Sequence, residues 1–361
     1  MRVLALLLIV LSSLDLRAEP RRRSVRASGW TVPNCAQVEG FPAVSVTVDG
    51  GRTVLPQSES AESIQIDTFG LAALDRPNRL LAITGRLLLH SNDAGCKWEI
   101  VENVRFPQSL TRLARAGADR AWAWSILGPE LFRIGTSIEE RRVEERRMPV
   151  ELPIAFHANE DRLATADDHG DIWWSDDGGV TWSWHATAAS RPMLFALEFS
   201  PRDREHVISA GIADGAYVTF DGGATWTASR GLEGQNVFRV AFSPVHPGVV
   251  WAIALDPKVI GVTKRAIYRS TDGGLSFARV ITASNDVQMT NGFVLAPHPR
   301  DPSLLYFATY GTKLYLVDAE GAIRMQSDLP HRNVDALVFS PATPDVMYLG
   351  LKLSDMSATS E

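Results

Sequence analysis

One short pattern recurs along this chain and limits what it can fold into: a hydroxyl residue, any residue, Asp, a small residue, Gly, two further residues, then an aromatic. It appears as Ser91-Asn92-Asp93-Ala94-Gly95-Cys96-Lys97-Trp98, from Ser175 to Trp182, from Thr219 to Trp226 and from Ser270 to Phe277. A further copy, Thr47 to Val54, lacks only the aromatic. The Asp-Gly-Gly core supplies the positive-φ positions of a tight hairpin turn, and the carboxylates of Asp49, Asp93, Asp177, Asp221 and Asp272 can accept hydrogen bonds from their own turn amides. Local turn chemistry therefore accounts for these five carboxylates without catalysis. The aromatic begins the returning strand and brings a large apolar surface to a neighbouring unit.

A second signature precedes the turns, in Phe199-Ser200-Pro201, Phe242-Ser243-Pro244, Pro297-His298-Pro299 and Phe339-Ser340-Pro341. Seven residues after the last Pro of each comes the middle of an apolar strand, at Ile208, Trp251, Tyr306 and Tyr348. The unit reads strand, Pro turn, strand, loop, strand, Asp turn, strand, which is the four-stranded antiparallel blade of a propeller. The turn Asp residues are spaced 44, 84, 44 and 51 residues apart, so the long interval hides one blade, with strands at Ala121–Trp124 and Leu131–Ile134. A sixth unit runs from Phe293 to about Ile323, with a decayed turn at Val317 to Gly321. The chain then ends on two strands, Val334–Ser340 and Val346–Leu351, and the hairpin Val44–Val48 with Arg52–Leu55 supplies two more. The expectation is an all-β, seven-bladed β-propeller of four-stranded antiparallel blades, the last closed by N- and C-terminal strands so that no sheet edge is left open at the seam.

These turns and the Phe-Ser-Pro strands resemble the BNR or Asp-box repeats of sialidases, xyloglucan-active glycoside hydrolases, sortilin-type receptors and the photosystem-II assembly-factor family, over nearly the whole chain after Trp30. The resemblance implies that the turns lie on the face opposite the ligand site. Sialidases carry Arg-Ile-Pro ahead of their first repeat; Phe132-Arg133-Ile134-Gly135 lacks the Pro and falls after Asp49 and Asp93. Xyloglucanase-like enzymes join two propellers, whereas this chain has residues for one. A single propeller of this length looks most like the assembly-factor group, whose members act as binding scaffolds. Function is thus expected to be that of an exported binding or assembly scaffold working through its open face, with a glycoside hydrolase as the alternative.

The N-terminus reads as an export signal over residues 1–18, with Arg2, an apolar run from Val3 to Leu14 and Ala18 at the cleavage point, followed by a basic linker over 19–29 and a propeller over 30–361. Arg17, Arg21, Arg22, Arg23 and Arg26 place more positive charge after the run than before it, so an uncleaved anchor is the alternative to a periplasmic or extracellular product. No other stretch is long and apolar enough to span a membrane. Cys35 and Cys96 are the only cysteines, and in an exported chain they form either a disulfide or two separate buried thiols. A net charge of −6 excludes the global basic field that nucleic acid attracts, which leaves a protein or a glycan as partner of a monomer.

Groups able to reach the open face lie at the starts of the innermost strands or in the loops between second and third strands. Glu198, Asp214 and Asp335 are the candidate carboxylates for glycoside hydrolysis, which requires two across one cleft. Arg239 and Asn291 are binding candidates, with Lys258, Lys264 and Arg265 on the longer fifth-blade loop from Leu255 to Arg265. Asp167-Asp168-His169-Gly170-Asp171 has the oxygens for a calcium site but reads as an Asp-Gly turn, and no paired His or Cys spacing supports zinc. No phosphate loop or dinucleotide fingerprint is present, so no cofactor or metal is expected. The run Glu139 to Arg147 is charge-balanced and reads as a solvated strand.

Overall fold

The computed structural model describes residues 29–35, 44–54, 68–107, 111–136, 141–189, 194–261, 264–287, 289, 294–309, 313–329 and 332–353. The export segment at 1–18, the basic linker up to residue 28 and Asn291 lie outside them. Blade 7 opens the described chain with β1 (Val44–Thr47). Blade 1 follows as β2 (Thr68–Ala73), β3 (Leu80–Thr84), β4 (Leu87–Ser91) and β5 (Glu99–Arg105). Blade 2 is β6 (Thr111–Arg115), β7 (Arg120–Ser125), β8 (Glu130–Thr136) and β9 (Arg141–Arg147), and blade 3 is β10 (Pro153–Asn159), β11 (Arg162–Asp167), β12 (Asp171–Ser175) and β13 (Ser183–Thr187). Blade 4 is β14 (Leu194–Ser200), β15 (Asp203–Gly211), β16 (Gly215–Thr219) and β17 (Thr227–Ala228). Blade 5 is β18 (Asn236–Phe242), β19 (Val250–Leu255), β20 (Arg265–Ser270) and β21 (Ala278–Thr282). Blade 6 is β22 (Val294–Pro297), β23 (Leu304–Thr309), β24 (Lys313–Asp318) and β25 (Ile323–Asp328), and β26 (Arg332–Phe339) with β27 (Met347–Leu353) returns to blade 7.

Seven antiparallel sheets result, in the expected blade order. Blade 7 reads β1-β27-β26, closed by N- and C-terminal strands as expected. Its second N-terminal strand is a correction: Arg52 to Val54 is not a strand. The reason is local. The Thr53 amide is held by the Asp49 carboxylate at 2.9 Å, Ser327 of blade 6 donates to the carbonyl of Gly51, and Val54 packs against the blade 6–blade 7 core, so the chain leaves the sheet edge after the turn. Blade 6 also extends past Ile323 to Asp328.

The repeated turns share one hydrogen-bond set. In blade 3 the Ser175 hydroxyl donates to Asp177 Oδ1 at 2.9 Å and accepts the Gly179 amide at 2.8 Å, while Asp177 accepts the Thr181 amide and hydroxyl. The hydroxyl-to-Asp bond, the Gly amide on that hydroxyl and the amide four residues after the Asp recur at Asp49, Asp93, Asp221 and Asp272, and the second hydroxyl, from Thr225 and Ser276, at Asp221 and Asp272. The Thr181 hydroxyl, then its amide, holds the Asp177 carboxyl down to about 2.

Each turn is also a socket for the preceding blade. The Tyr348 hydroxyl of blade 7 donates to the carbonyl of Ala94 in blade 1 at 2.9 Å, and Tyr306 of blade 6 donates to Gly50 at 3.1 Å. At Gly95, with φ at 90°, a Cβ would stand 2.7 Å from the Tyr348 ring, so only glycine admits the aromatic. His206 of blade 4 contacts the Gly273 carbonyl of blade 5 at 2.7 Å, and Trp226 of blade 4 donates back to Thr187 of blade 3 at 3.1 Å. The strand residues read as blade centres, Ile208, Trp251, Tyr306 and Tyr348, are all buried in these inter-blade cores. Cys35 and Cys96 are joined by a disulfide that ties the segment before β1 to the turn of blade 1. The part of the charged run from residue 141 on forms the outermost strand β9, where Glu144 pairs with Arg142 and Arg146, while Glu139 and Glu140 lie outside the described residues.

Two stability predictions follow from these contacts. Ser175→Ala leaves the buried Gly179 amide without its acceptor and is expected to cost about 1–3 kcal/mol in a denaturant melt, whereas Val180→Ala, on the exposed tip, is neutral. His157 is buried at 8% exposure, and burial, then the nearby Arg204, pushes its pKa from 6.5 down to about 4 against the attraction of Asp203. Between those values the unfolded chain binds the extra proton, so this contribution is complete above pH 6.5 and declines as pH falls towards 4. A loss of about 2 kcal/mol between pH 7 and 5 is expected from this group, and His157→Gln should flatten that part of the stability profile.

Candidate functional site

The innermost strands β2, β6, β10, β14, β18, β22 and β26 enclose a central cavity of about 590 Å³. In these antiparallel meanders the first residues of the innermost strands share one end with the loops between second and third strands. That end is the open face, and the repeated turns occupy the other. Five innermost strands enter through a β-bulge, with Phe69, Ile154, Phe195, Phe238 and Asp335 as the extra residues. Bulges re-aim side chains where a strand must serve a site. The unbulged β6 places Arg112 at the level of Asp335, directly after the Thr111–Ser125 pair.

The cavity wall is thus partly apolar, with Phe69, Ile154, Phe238 and Leu295, and partly charged, with Arg112, Glu198, Arg239 and Asp335. Going round the ring from blade 2, the charges come from blades 2, 4, 5 and 7 and alternate in sign. Among the described residues, Arg112, Glu198 and Arg239 make no hydrogen bond or ion pair at contact distance; they act on each other across the cavity. Depth within the ring pushes the Glu198 carboxyl up to about 7, against the pull of Arg239 and then Arg112. Its side chain nonetheless faces the channel and is exposed there. Burial, then repulsion from Arg239, lowers Arg112 to about 10, opposed by Glu198 and Asp335. Arg239 is likewise lowered by burial and supported by the same two carboxylates.

The structure therefore brings Glu198, Arg239 and Asp335 together. Glu198 departs from the expected position at a strand start: it is the fifth residue of β14 and sits deep in the channel. Asp214 is not in the channel wall; it accepts the Tyr217 hydroxyl at 3.1 Å on the β15–β16 turn. Lys258 and Lys264 lie on the loop between β19 and β20, closed by the Asp256 amide on the Lys264 carbonyl at 2.7 Å. Arg265 begins β20 and donates to the Met289 carbonyl at 2.8 Å, a structural contact. Asp167 accepts the amides of His169 and Asp171 at 3.0 and 2.8 Å, which is the turn chemistry expected of that segment. Arg133 lies on β8, the third strand of its blade, outside the channel wall. Arg112 escaped sequence reading because blade 2 has neither the Phe-Ser-Pro signature nor the Asp turn, and nothing else fixes the register of β6.

The fold and the channel define the class: a seven-bladed propeller with a charged, partly apolar central cavity. No family model matches the chain. Over 345 residues it is 36% identical to Dispase autolysis-inducing protein of Streptomyces mobaraensis, covering 90% of each chain. It belongs to the family of that protein. Among solved structures it is similar to YCF48 from Cyanidioschyzon merolae, with a TM-score of 0.57 and 15% identity over 80% of this chain and 97% of that one. It is also similar to YCF48 bound to D1 peptide, with a TM-score of 0.57 and 14% identity over 91% of this chain and 100% of that one. At such identities the likeness is one of fold.

Since Arg239 is the stronger of the two cations stabilising the Glu198 carboxylate, Arg239→Gln is expected to raise the pKa of Glu198 further. Carboxyl-resolved NMR titration of both proteins measures this; an unchanged or lower value would disprove the coupling.

Proposed function

We propose that the chain is an exported protein-binding propeller that engages a protease through its open face. The observation that carries this reading is its membership of a family whose named member induces the autolysis of dispase. Autolysis is self-cleavage by a protease, so the partner implied is a protein. YCF48 bound to D1 peptide, a structure of the same fold, supports the same mode of use here. The repeated turns are read as BNR or Asp-box turns that build the face away from the partner.

The open face has the chemistry of a docking surface. Leu127 on the β7–β8 loop is 48% exposed, Leu152 before β10 is 43% exposed, and Ile260 on the β19–β20 loop is 96% exposed beside Lys258 and Lys264. Each presents apolar surface that a protein partner on this face would cover. Export is supported by the Cys35–Cys96 disulfide, which persists in oxidising compartments, and by the apolar run within residues 1–18.

Incubating the purified chain with dispase and following autolysis on gels tests this. Faster autolysis is expected, reduced tenfold or more by Leu127→Asp with Ile260→Asp and unaffected by Val180→Asp on the opposite face. Turnover of a glycan panel, abolished by Asp335→Asn, would overturn the reading in favour of a glycoside hydrolase.

A further inference from the structure

The central cavity is not the same all round. Its wall comes from the innermost strands and their entries, and among the described residues only Trp124 and Ile126 reach it from further out, on β7 and the loop that follows. At that place the cavity extends outward past β6 into a recess. Ala114, Trp124, Ile126 and Phe156 line the cavity there and all belong to the core shared by blades 2 and 3, with the rings of Trp124 and Phe156 5.7 Å apart. Arg112 stands on the same face. It lies directly opposite Trp124 in the β6–β7 pair, and opposed residues of an antiparallel pair project from one side of the sheet. Ala114, two residues further along β6, shares that side.

Of the three channel charges without a contact partner, Arg112 is the least compensated. Burial apart, it feels the repulsion of Arg239 most, and the attractions of Glu198 and then Asp335 come after. Glu198 is drawn first to Arg239, and Arg239 is supported first by Glu198, so those two serve each other. Asp335 has a partner of its own. A guanidinium with no bonded acceptor offers a planar fork that matches a carboxylate. Glu198 and Asp335 oppose a second negative charge on the ligand, so a monoanion suits the cavity better than a dianion. The recess adds the need for an apolar body, since a polar one would lose its water there without gaining a partner.

We infer that the recess between blades 2 and 3 is a binding site for a small monocarboxylic acid with an apolar body, its carboxylate on Arg112 and its body against Trp124, Ile126 and Phe156. The cavity of about 590 Å³ holds such a molecule together with water. This site is independent of the protein partner: an acid can occupy the recess whether or not the rim engages a protease.

Isothermal titration of the full chain with octanoate and with hydrocinnamate, beside octanamide and acetate, reads the assignment directly. Octanamide keeps the body without the charge, and acetate keeps the charge without the body. At least one of the two acids is expected to bind with a dissociation constant below about 1 mM, and octanamide and acetate at least tenfold more weakly (about 1.4 kcal/mol). Arg112→Gln should weaken binding of the acid tenfold or more, and Ile126→Asn should do so by placing an amide in the recess, while Val180→Ala leaves binding unchanged. Thermal melts of each variant separate loss of binding from loss of fold. Should Arg112→Gln fail to fold, Ile126→Asn together with the analogue series still decides. Absence of binding by both acids at millimolar concentration, binding of octanamide or acetate as tight as that of the acids, or full affinity in the folded Arg112→Gln or Ile126→Asn protein would overturn the inference.

Discussion

Four consecutive residue pairs, Val44 to Thr47 against Gly350 to Met347, join the two ends of this ring. Without them blade 7 would be the two strands β26 and β27, and an isolated pair is marginal in water. Every other blade is buried on both faces by its neighbours, so the exposed flanks of blades 6 and 1 would be left with apolar cores facing solvent. The seam is reinforced from both sides. Val44, Val46 and Trp30 share one core with Leu71 and Leu80 of blade 1 and Tyr348 of blade 7. At Gly350 the backbone of β2 comes so close that a Cβ would stand 2.6 Å from the Thr68 carbonyl. The disulfide spans 61 residues of sequence and fastens the segment before β1 to blade 1; by loop entropy such a link contributes about 4 kcal/mol.

The ring was legible because its unit is written in local chemistry. Asp177, Ser175 and Gly179 are all consumed by one turn, and that turn needs no information from elsewhere in the chain. The same locality made blade 2 visible only by subtraction, since Ala121–Trp124 and Leu131–Ile134 are strands without the turn that punctuates the others. What the turns do between blades was not legible. That the Tyr348 hydroxyl seats on Ala94, 254 residues away, depends on the order in which blades meet around the ring, which periodicity does not state. The missing strand at Arg52–Val54 has the same cause: its fate is decided by Ser327 and the blade 6 core rather than by its own residues.

The channel was legible in part, and the division is instructive. Asp335 and Arg239 could be placed because Phe-Ser-Pro follows their strands and fixes the register. Glu198 directly precedes Phe199, so the same mark fixes its strand and register; what no sequence period reveals is the bulge at Phe195, which lies between Glu198 and the entry of its strand. Arg112 was invisible for want of any register mark. Side chains that earn attention in the sequence for their charge, such as Asp214 and Arg265, turn out to hold loops together.

The two faces of the ring thus divide its chemistry. On the turn face the third-position Asp of each repeated turn accepts bonds from its own turn, which at Asp177 pulls the carboxyl down to about 2 and leaves it no affinity for a ligand. On the channel side Glu198 is shifted the other way, and the opposing arginines act on it only from across the cavity. A carboxylate satisfied locally stabilises a fold; one satisfied only at a distance can still be satisfied better. The bulges maintain this difference, since at each entry they break the ladder that would otherwise hold the strand in regular register and let the wall present Phe69, Ile154 and Phe238 beside the charges. The rigid turns on one face and the unsaturated wall within are therefore two consequences of the same blade, one end built from residues that close on themselves and the other from residues that do not.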